Sequence, residues 1–81
     1  MTVTVHFYSY FKDLTGCTEA KMEVADASTV DELLAATLSQ FPKLAPMQKS
    51  MLIAVGVDYA PRELVLRAGD EVSLFPPVQG G

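Results

Sequence analysis

The sequence predicts an α+β domain: one mixed sheet with a single main helix packed across one of its faces. Two observations carry this. Apolar residues alternate with polar ones at period two near both ends of the chain, and they recur at helical spacing in one long stretch, residues 30–41. A single helix cannot cover both faces of a sheet of this size, so one sheet face is left without a helix over it.

Residues 2–8 alternate, with Val3, Val5 and Phe7 on one face and Thr4, His6 and Tyr8 on the other, as a half-buried strand requires. Residues 9–14 break that period. Ser9 offers a cap for a single helical turn that tucks Phe11 and Leu14 inward, and Gly16 ends the turn. Alternation resumes with Ala20, Met22 and Val24 opposite Glu19, Lys21 and Glu23, so the first two strands read as a hairpin. Val30, Leu33, Leu34, Leu38 and Phe41 then form the stripe of an amphipathic helix. Thr29 with Glu32 three residues later is a capping box, and Asp31 and Glu32 suit the positive end of the helix. Pro42 stops it, because it has no N–H and disfavours helical geometry in the residue before it.

Residues 43–50, with Pro46 inside, read as a connector. Residues 51–57 are a continuous apolar run rich in β-branched side chains, which predicts a strand buried on both faces. Gly56 and Asp58 supply turn chemistry before a short extension at residues 59–60 and a break at Pro61. Residues 64–66 are a weaker apolar patch, and Gly69-Asp70 is a turn. Val72 and Leu74 alternate with Ser73 and Phe75 in a last strand, which Pro76-Pro77 stops because neither residue can donate to a ladder. If the first and last strands are central neighbours they run parallel, and the order reads as a β-grasp, or ubiquitin-like, fold. Periodicity leaves that strand order open.

The 81 residues divide into one domain, residues 1–75, and a projecting tail, residues 76–81. At 49% hydrophobic and 20% charged residues the composition is globular, not disordered. Six Lys and Arg face ten Asp and Glu, a net charge of −4. A phosphate-binding surface needs the opposite balance, so no nucleic-acid partner is expected. One cysteine closes no internal disulfide and builds no zinc site or four-thiolate iron–sulfur cluster, so no metal is expected. No apolar run approaches the roughly 18 residues that span a bilayer, and the start lacks a basic-then-apolar leader. The expectation is a cytoplasmic protein without a membrane partner.

The tail is the informative part. It reads Phe75-Pro76-Pro77-Val78-Gln79-Gly80-Gly81. The diproline favours extended geometry that carries the residues after it away from the body. Val78 and Gln79 are uncharged, and Gly80 and Gly81 have no side chains, so the peptide can thread a narrow channel. The reactive group at the tip is the Gly81 carboxylate. A carboxylate is a poor electrophile until adenylation makes its oxygen a good leaving group. A sulfur nucleophile then displaces AMP to leave a thiocarboxylate, whereas a lysine amine leaves an amide.

This tail, preceded by Leu66-Arg67-Ala68-Gly69-Asp70-Glu71-Val72, resembles the small, sulfur-carrying subunits of molybdopterin synthase (the MoaD type). The resemblance covers essentially the whole chain. Residues 5–16 are similar to the family's aromatic strand and the basic-acidic-Leu-x-Gly turn, here Lys12-Asp13-Leu14-Thr15-Gly16. The chain departs from the pattern at Gly56, where Asn is frequent, at Lys12, where Arg is frequent, and at His6 and Tyr10, which are less apolar than the family's residues. The resemblance implies a β-grasp domain whose Gly81 is adenylated with ATP by an E1-like activating enzyme. A sulfur donor protein then converts it to a thiocarboxylate, and the chain itself holds no cofactor beyond that transient AMP. Val78, Gln79 and Gly80 thread the active site of the large subunit, where sulfur passes to a cyclic pyranopterin precursor in a heterotetrameric assembly. Catalytic side chains belong to the partner. The same tip chemistry also serves a sulfur carrier for thiamine or another metabolite, and a ubiquitin-like modifier of lysines. A plain interaction domain is the third alternative.

Outside the tail, alternation puts Tyr8 and Phe75 on the exposed sheet face. With Pro76 and Pro77 they are the expected partner interface, since aromatics dominate such surfaces. Cys17 reads as a loop thiol, His6 as a strand-face residue without a ligand partner, and the methionines as core filler. Asp70 and Glu71 read as solvated charges, with Asp70 stabilising its turn.

Overall fold

The computed structural model describes residues 1–77. Its elements are β1 (Thr2–Phe7), α1 (Phe11–Thr15), β2 (Glu19–Glu23), α2 (Val30–Gln40), a 3-10 helix (Pro42–Met47), β3 (Leu52–Val55), β4 (Asp58–Tyr59) and β5 (Glu71–Phe75). The five strands form one sheet in the order β2-β1-β5-β3-β4. β1 and β5 pair in parallel, Val5 opposite Val72 and Phe7 opposite Leu74, and the other neighbours are antiparallel. The first and last strands are therefore the central pair, which settles the strand order as β-grasp.

The alternation read from the sequence sets which face is buried. Val3, Val5 and Phe7 of β1, Met22 of β2, Ile53 of β3, and Val72 and Leu74 of β5 all point under the helix. From above, α2 lowers Val30, Leu33, Leu34 and Leu38 onto them. Thr37 is also fully buried, and it satisfies its hydroxyl by donating to the Leu33 carbonyl at 2.9 Å. The capping box forms as predicted: the Glu32 N–H donates to Thr29 Oγ1 at 3.2 Å, and the Thr29 N–H donates to Glu32 Oε1 at 2.9 Å. Phe41 comes next as the last residue of the stripe, with its ring edge-on to Phe7 at 5.2 Å.

Four local expectations are corrected. Ser9 does not cap α1 with its side chain; the residue preceding α1 is Tyr10, and Ser9 instead adopts a left-handed φ of 56° and accepts the Lys12 N–H at its carbonyl. Residues 43–50 are not a bare connector, because the 3-10 helix buries Leu44 completely against α1 and α2. Pro46 donates nothing there, and the turn holds through the Leu44 and Gln48 N–H groups, which donate to the Phe41 and Ala45 carbonyls at 3.1 Å each. β3 is shorter than the apolar run, although Ile53 and Ala54 on its two faces are both buried as expected. Val55 pairs with Asp58, so Gly56 and Val57 form a two-residue hairpin loop, and Val57 is 97% exposed. Gly56 has a φ of 63°, as the first central residue of a II′ turn requires. Residues 64–66 make one isolated bridge, Thr29 to Val65, while Leu66 alone is buried.

Candidate functional site

The sheet face away from α2 carries no helix, and the tail leaves from its centre. Register places its side chains in rows. In one row Leu52 of β3 lies beside Phe75 of β5. The parallel pairing of β1 with β5 continues one residue further, where the Tyr8 N–H donates to the Leu74 carbonyl at 3.2 Å. Tyr8 thereby stacks on Phe75, with ring centroids 4.7 Å apart and planes 11° from parallel. In the next row Tyr59, Ala54, Ser73 and His6 run across four strands. Tyr59 is 75% exposed and Tyr8 42%, while Phe75 is half-buried under its neighbours.

Two shallow grooves flank this aromatic ridge. One, of about 290 Å³, lies between Tyr8, Val57, Tyr59 and Phe75 over Ala54 and Ser73. The other, of about 370 Å³, is lined by Ser9, Tyr10, Leu52, Tyr59, Phe75, Pro76 and Pro77. Among the described residues no carboxylate, histidine or cysteine lines either groove. This arrangement suits docking of an apolar partner surface and offers no acid–base or nucleophilic pair beside the tail. Tyr8, Phe75, Pro76 and Pro77, expected together on an exposed face, are brought together there. Pro76 and Pro77 are half-buried, so the tail root starts within the groove. Val78, Gln79, Gly80 and Gly81, expected to carry the chemistry, lie outside the described residues.

His6 lies on the strand face as expected, and two carboxylates stand beside it there. Its Nε2 lies 2.8 Å from Glu71 Oε1, and its Nδ1 lies 3.9 Å from Glu19 Oε1. Glu71 is thus a hydrogen-bond partner and not merely a solvated charge. Spacing along the chain hides this trio, because its members come from three strands. The cross-strand pairing of β1 with β2, which sets His6 opposite Glu19, was the usable signal. Asp70 does stabilise its turn, its carboxylate accepting the Arg67 N–H at 2.8 Å. Cys17 is half-buried in the loop before β2, its Sγ 3.7 Å from the Thr15 hydroxyl. Among the described residues no three His, Cys, Asp or Glu side chains are placed to hold a metal ion. Nor is any helix among them long and apolar enough to cross a membrane.

Comparison with known proteins matches the same span. The profile of the ThiS family matches residues 5–81. The molybdopterin synthase sulfur carrier subunit of Haemophilus influenzae is 32% identical over 81 residues, covering 98% of this chain and 99% of that one. Among solved structures, a putative molybdopterin converting factor subunit 1 from Pyrococcus furiosus superposes with a TM-score of 0.88 at 26% identity, covering 96% and 99% of the two chains. A complex of subunits 1 and 2 of the molybdopterin-converting factor from Helicobacter pylori contains a chain that superposes with a TM-score of 0.70 at 26% identity, with full coverage of both.

Proposed function

We propose, since this chain belongs to the ThiS family, that it is the sulfur carrier subunit of a molybdopterin synthase. What carries the reading is full-length likeness to such a subunit, at 32% identity, in a sequence that runs from the strand bearing Phe75 through Pro76-Pro77 to Gly80-Gly81. The tail is the cosubstrate and the open sheet face is the dock. The Gly81 carboxylate attacks the α-phosphorus of ATP on an E1-like enzyme, releasing pyrophosphate and forming an acyl-adenylate. Sulfide delivered by a donor protein adds to that carbonyl as HS⁻, expels AMP and gives up its proton to solvent, leaving a thiocarboxylate. Docked on the large subunit, the tip gives its sulfur to the pyranopterin precursor, and water restores the carboxylate. The chain's own residues bind and aim: Tyr8, Phe75, Pro76 and Pro77 meet the partner, and Val78, Gln79 and Gly80 thread its active site. The large subunit supplies the acid–base groups. Two carriers at the ends of a large-subunit dimer give the heterotetramer, working in the cytoplasm.

Intact-mass measurement tests this directly. After incubation with ATP, the activating enzyme and a sulfur source, the chain should gain the mass difference of one sulfur replacing one oxygen, located on Gly81 by fragmentation. The charged chain should then lose that sulfur when the large subunit and the pyranopterin precursor are added. Accumulation of isopeptide conjugates to lysine, with no thiocarboxylate, would assign the chain to protein modification instead.

A further inference from the structure

Towards β2 the open face changes character. Beyond the Tyr8–Phe75 ridge it becomes polar, and another shallow groove, of about 590 Å³, opens over Thr4, His6, Glu19, Lys21 and Glu71. His6 stands where the two halves meet, its ring centroid 6.5 Å from that of Tyr8. Its side chain is 24% exposed, against 50% for Glu19 and 67% for Glu71. Three adjacent strands hold this trio: His6 on β1, Glu19 opposite it on β2, and Glu71 on β5. Further along β2, Lys21 lies opposite Thr4, and Glu23 accepts the Thr2 O–H. The second helix packs on the other face and adds no charge here. Among the described residues neither Glu19 nor Glu71 pairs with a Lys or Arg. The imidazole is the basic group that both carboxylates share.

A neutral ring serves that position incompletely. With its single N–H donated from Nε2 to Glu71 across 2.8 Å, Nδ1 turns a lone pair towards the Glu19 carboxylate 3.9 Å away. Solvent makes this tolerable while the face is open. Docking removes that solvent. Successive side chains on one face of a strand stand about 7 Å apart, and a stable interface covers about 800 Å² on each partner. A partner centred on Phe75 therefore reaches across the His6 row. Drying two carboxylates beside a neutral ring is costly, and a proton on Nδ1 offsets the cost by giving each of them a charged donor. We propose that this polar half belongs to the dock, and that His6 takes a proton from solvent as the large subunit closes over Glu19 and Glu71. The inference rests on the sulfur-carrier reading and adds to it a contact area away from both the tail and the aromatic ridge. Histidine ordinarily changes charge between pH 5 and 8, so the large subunit is held more tightly on the acid side of neutrality. One bound proton strengthens association by at most about tenfold per pH unit.

Titration calorimetry of the chain with the large subunit, in buffers of differing ionisation enthalpy, counts the protons exchanged on binding. Repeating it at several pH values gives the slope of affinity. The unsubstituted chain is expected to take up a proton that His6→Gln does not. It should also gain about threefold or more in affinity from pH 7.5 to 6.5, beyond any change seen with His6→Gln. Comparison with the variant subtracts protons bound by the large subunit's own groups. If His6→Gln loses thermal stability, the double variant Glu19→Gln with Glu71→Gln, which keeps the imidazole, is expected to lose the same uptake. Equal uptake and equal slopes in the unsubstituted chain and these variants would overturn the inference. Salt-sensitive binding without proton uptake would overturn it too, since a cation of the large subunit would then cover the carboxylates instead. Absence of binding to the large subunit at every pH would strike the carrier reading along with it.

Discussion

Phe75 illustrates how one side chain can belong to fold and function together. The alternation around Val72 and Leu74 places it on the open face, and it lies there, yet Tyr8 and Leu52 leave it only half-exposed. An aromatic pair of this kind contributes about 0.5–1.5 kcal/mol beyond its buried area, so Phe75→Ala should cost at least that much stability, with the lost burial added to it. The larger effect falls on binding, where loss of a central aromatic anchor is expected to weaken association with the large subunit by more than about 1 kcal/mol. Calorimetric titration against denaturant unfolding of the same variant compares the two. Unfolding of the variant without a binding defect would place Phe75 in the core alone. Ala27 makes a second point: its φ of 63° is unfavourable for any residue with a Cβ. Ala27→Gly should relieve more strain than it adds in unfolded-chain entropy, raising stability by about 0.5 kcal/mol, read as a higher urea midpoint at unchanged slope. Neither Ala27 nor Ser9 was legible as left-handed from sequence, since residues in that conformation are most often glycine or asparagine and here are neither.

The second helix was the most legible element because three independent signals coincide on it: the apolar stripe, the Thr29–Glu32 box and the stop at Pro42. Its central contact gives a firm expectation. Leu34 is almost fully buried against the sheet, so Leu34→Ala should lower unfolding free energy by about 2–5 kcal/mol. A loss below about 0.5 kcal/mol in denaturant titration would mean the helix presents another face. The 3-10 helix was missed for the opposite reason. Pro42 and Pro46 read as breakers, and a lone Leu44 has no period, although it fills the space between α1 and α2. Residues 51–57 were overextended because an apolar run says nothing of where it crosses from core to hairpin tip. Gly56 was the cue, and it marked the turn two residues inside the expected strand.

Across the whole molecule, the sheet order divides labour. With β1 and β5 central and parallel, α2 must cross one face to connect the two halves, and among the described residues the opposite face carries no helix. The same order puts the C-terminal end of β5 inside the sheet, so Pro76 and Pro77 follow from the middle of the open face and not from an edge. Strand order was beyond the reach of periodicity, which fixes faces but not neighbours; Tyr8 and Phe75 were legible on that face because alternation sets them opposite Phe7 and Leu74. The tip carries the sharpest expectation. β5 ends at Phe75, and the core found among the described residues runs no further than Leu74, so deleting Gly81 should leave the melting temperature unchanged while abolishing sulfur transfer. Adding residues after Gly81 should be as damaging, because it moves the carboxyl group from the position the partner receives. Gly81→Ala keeps the carboxylate and adds one methyl, so its loss of rate gauges the width of the partner's channel or the backbone geometry imposed there. Single-turnover conversion of the pyranopterin precursor reads the chemistry, with circular dichroism tracking the fold. Full transfer by the extended chain, with the extension shown by mass to be still attached, would remove the terminal carboxyl group from the mechanism.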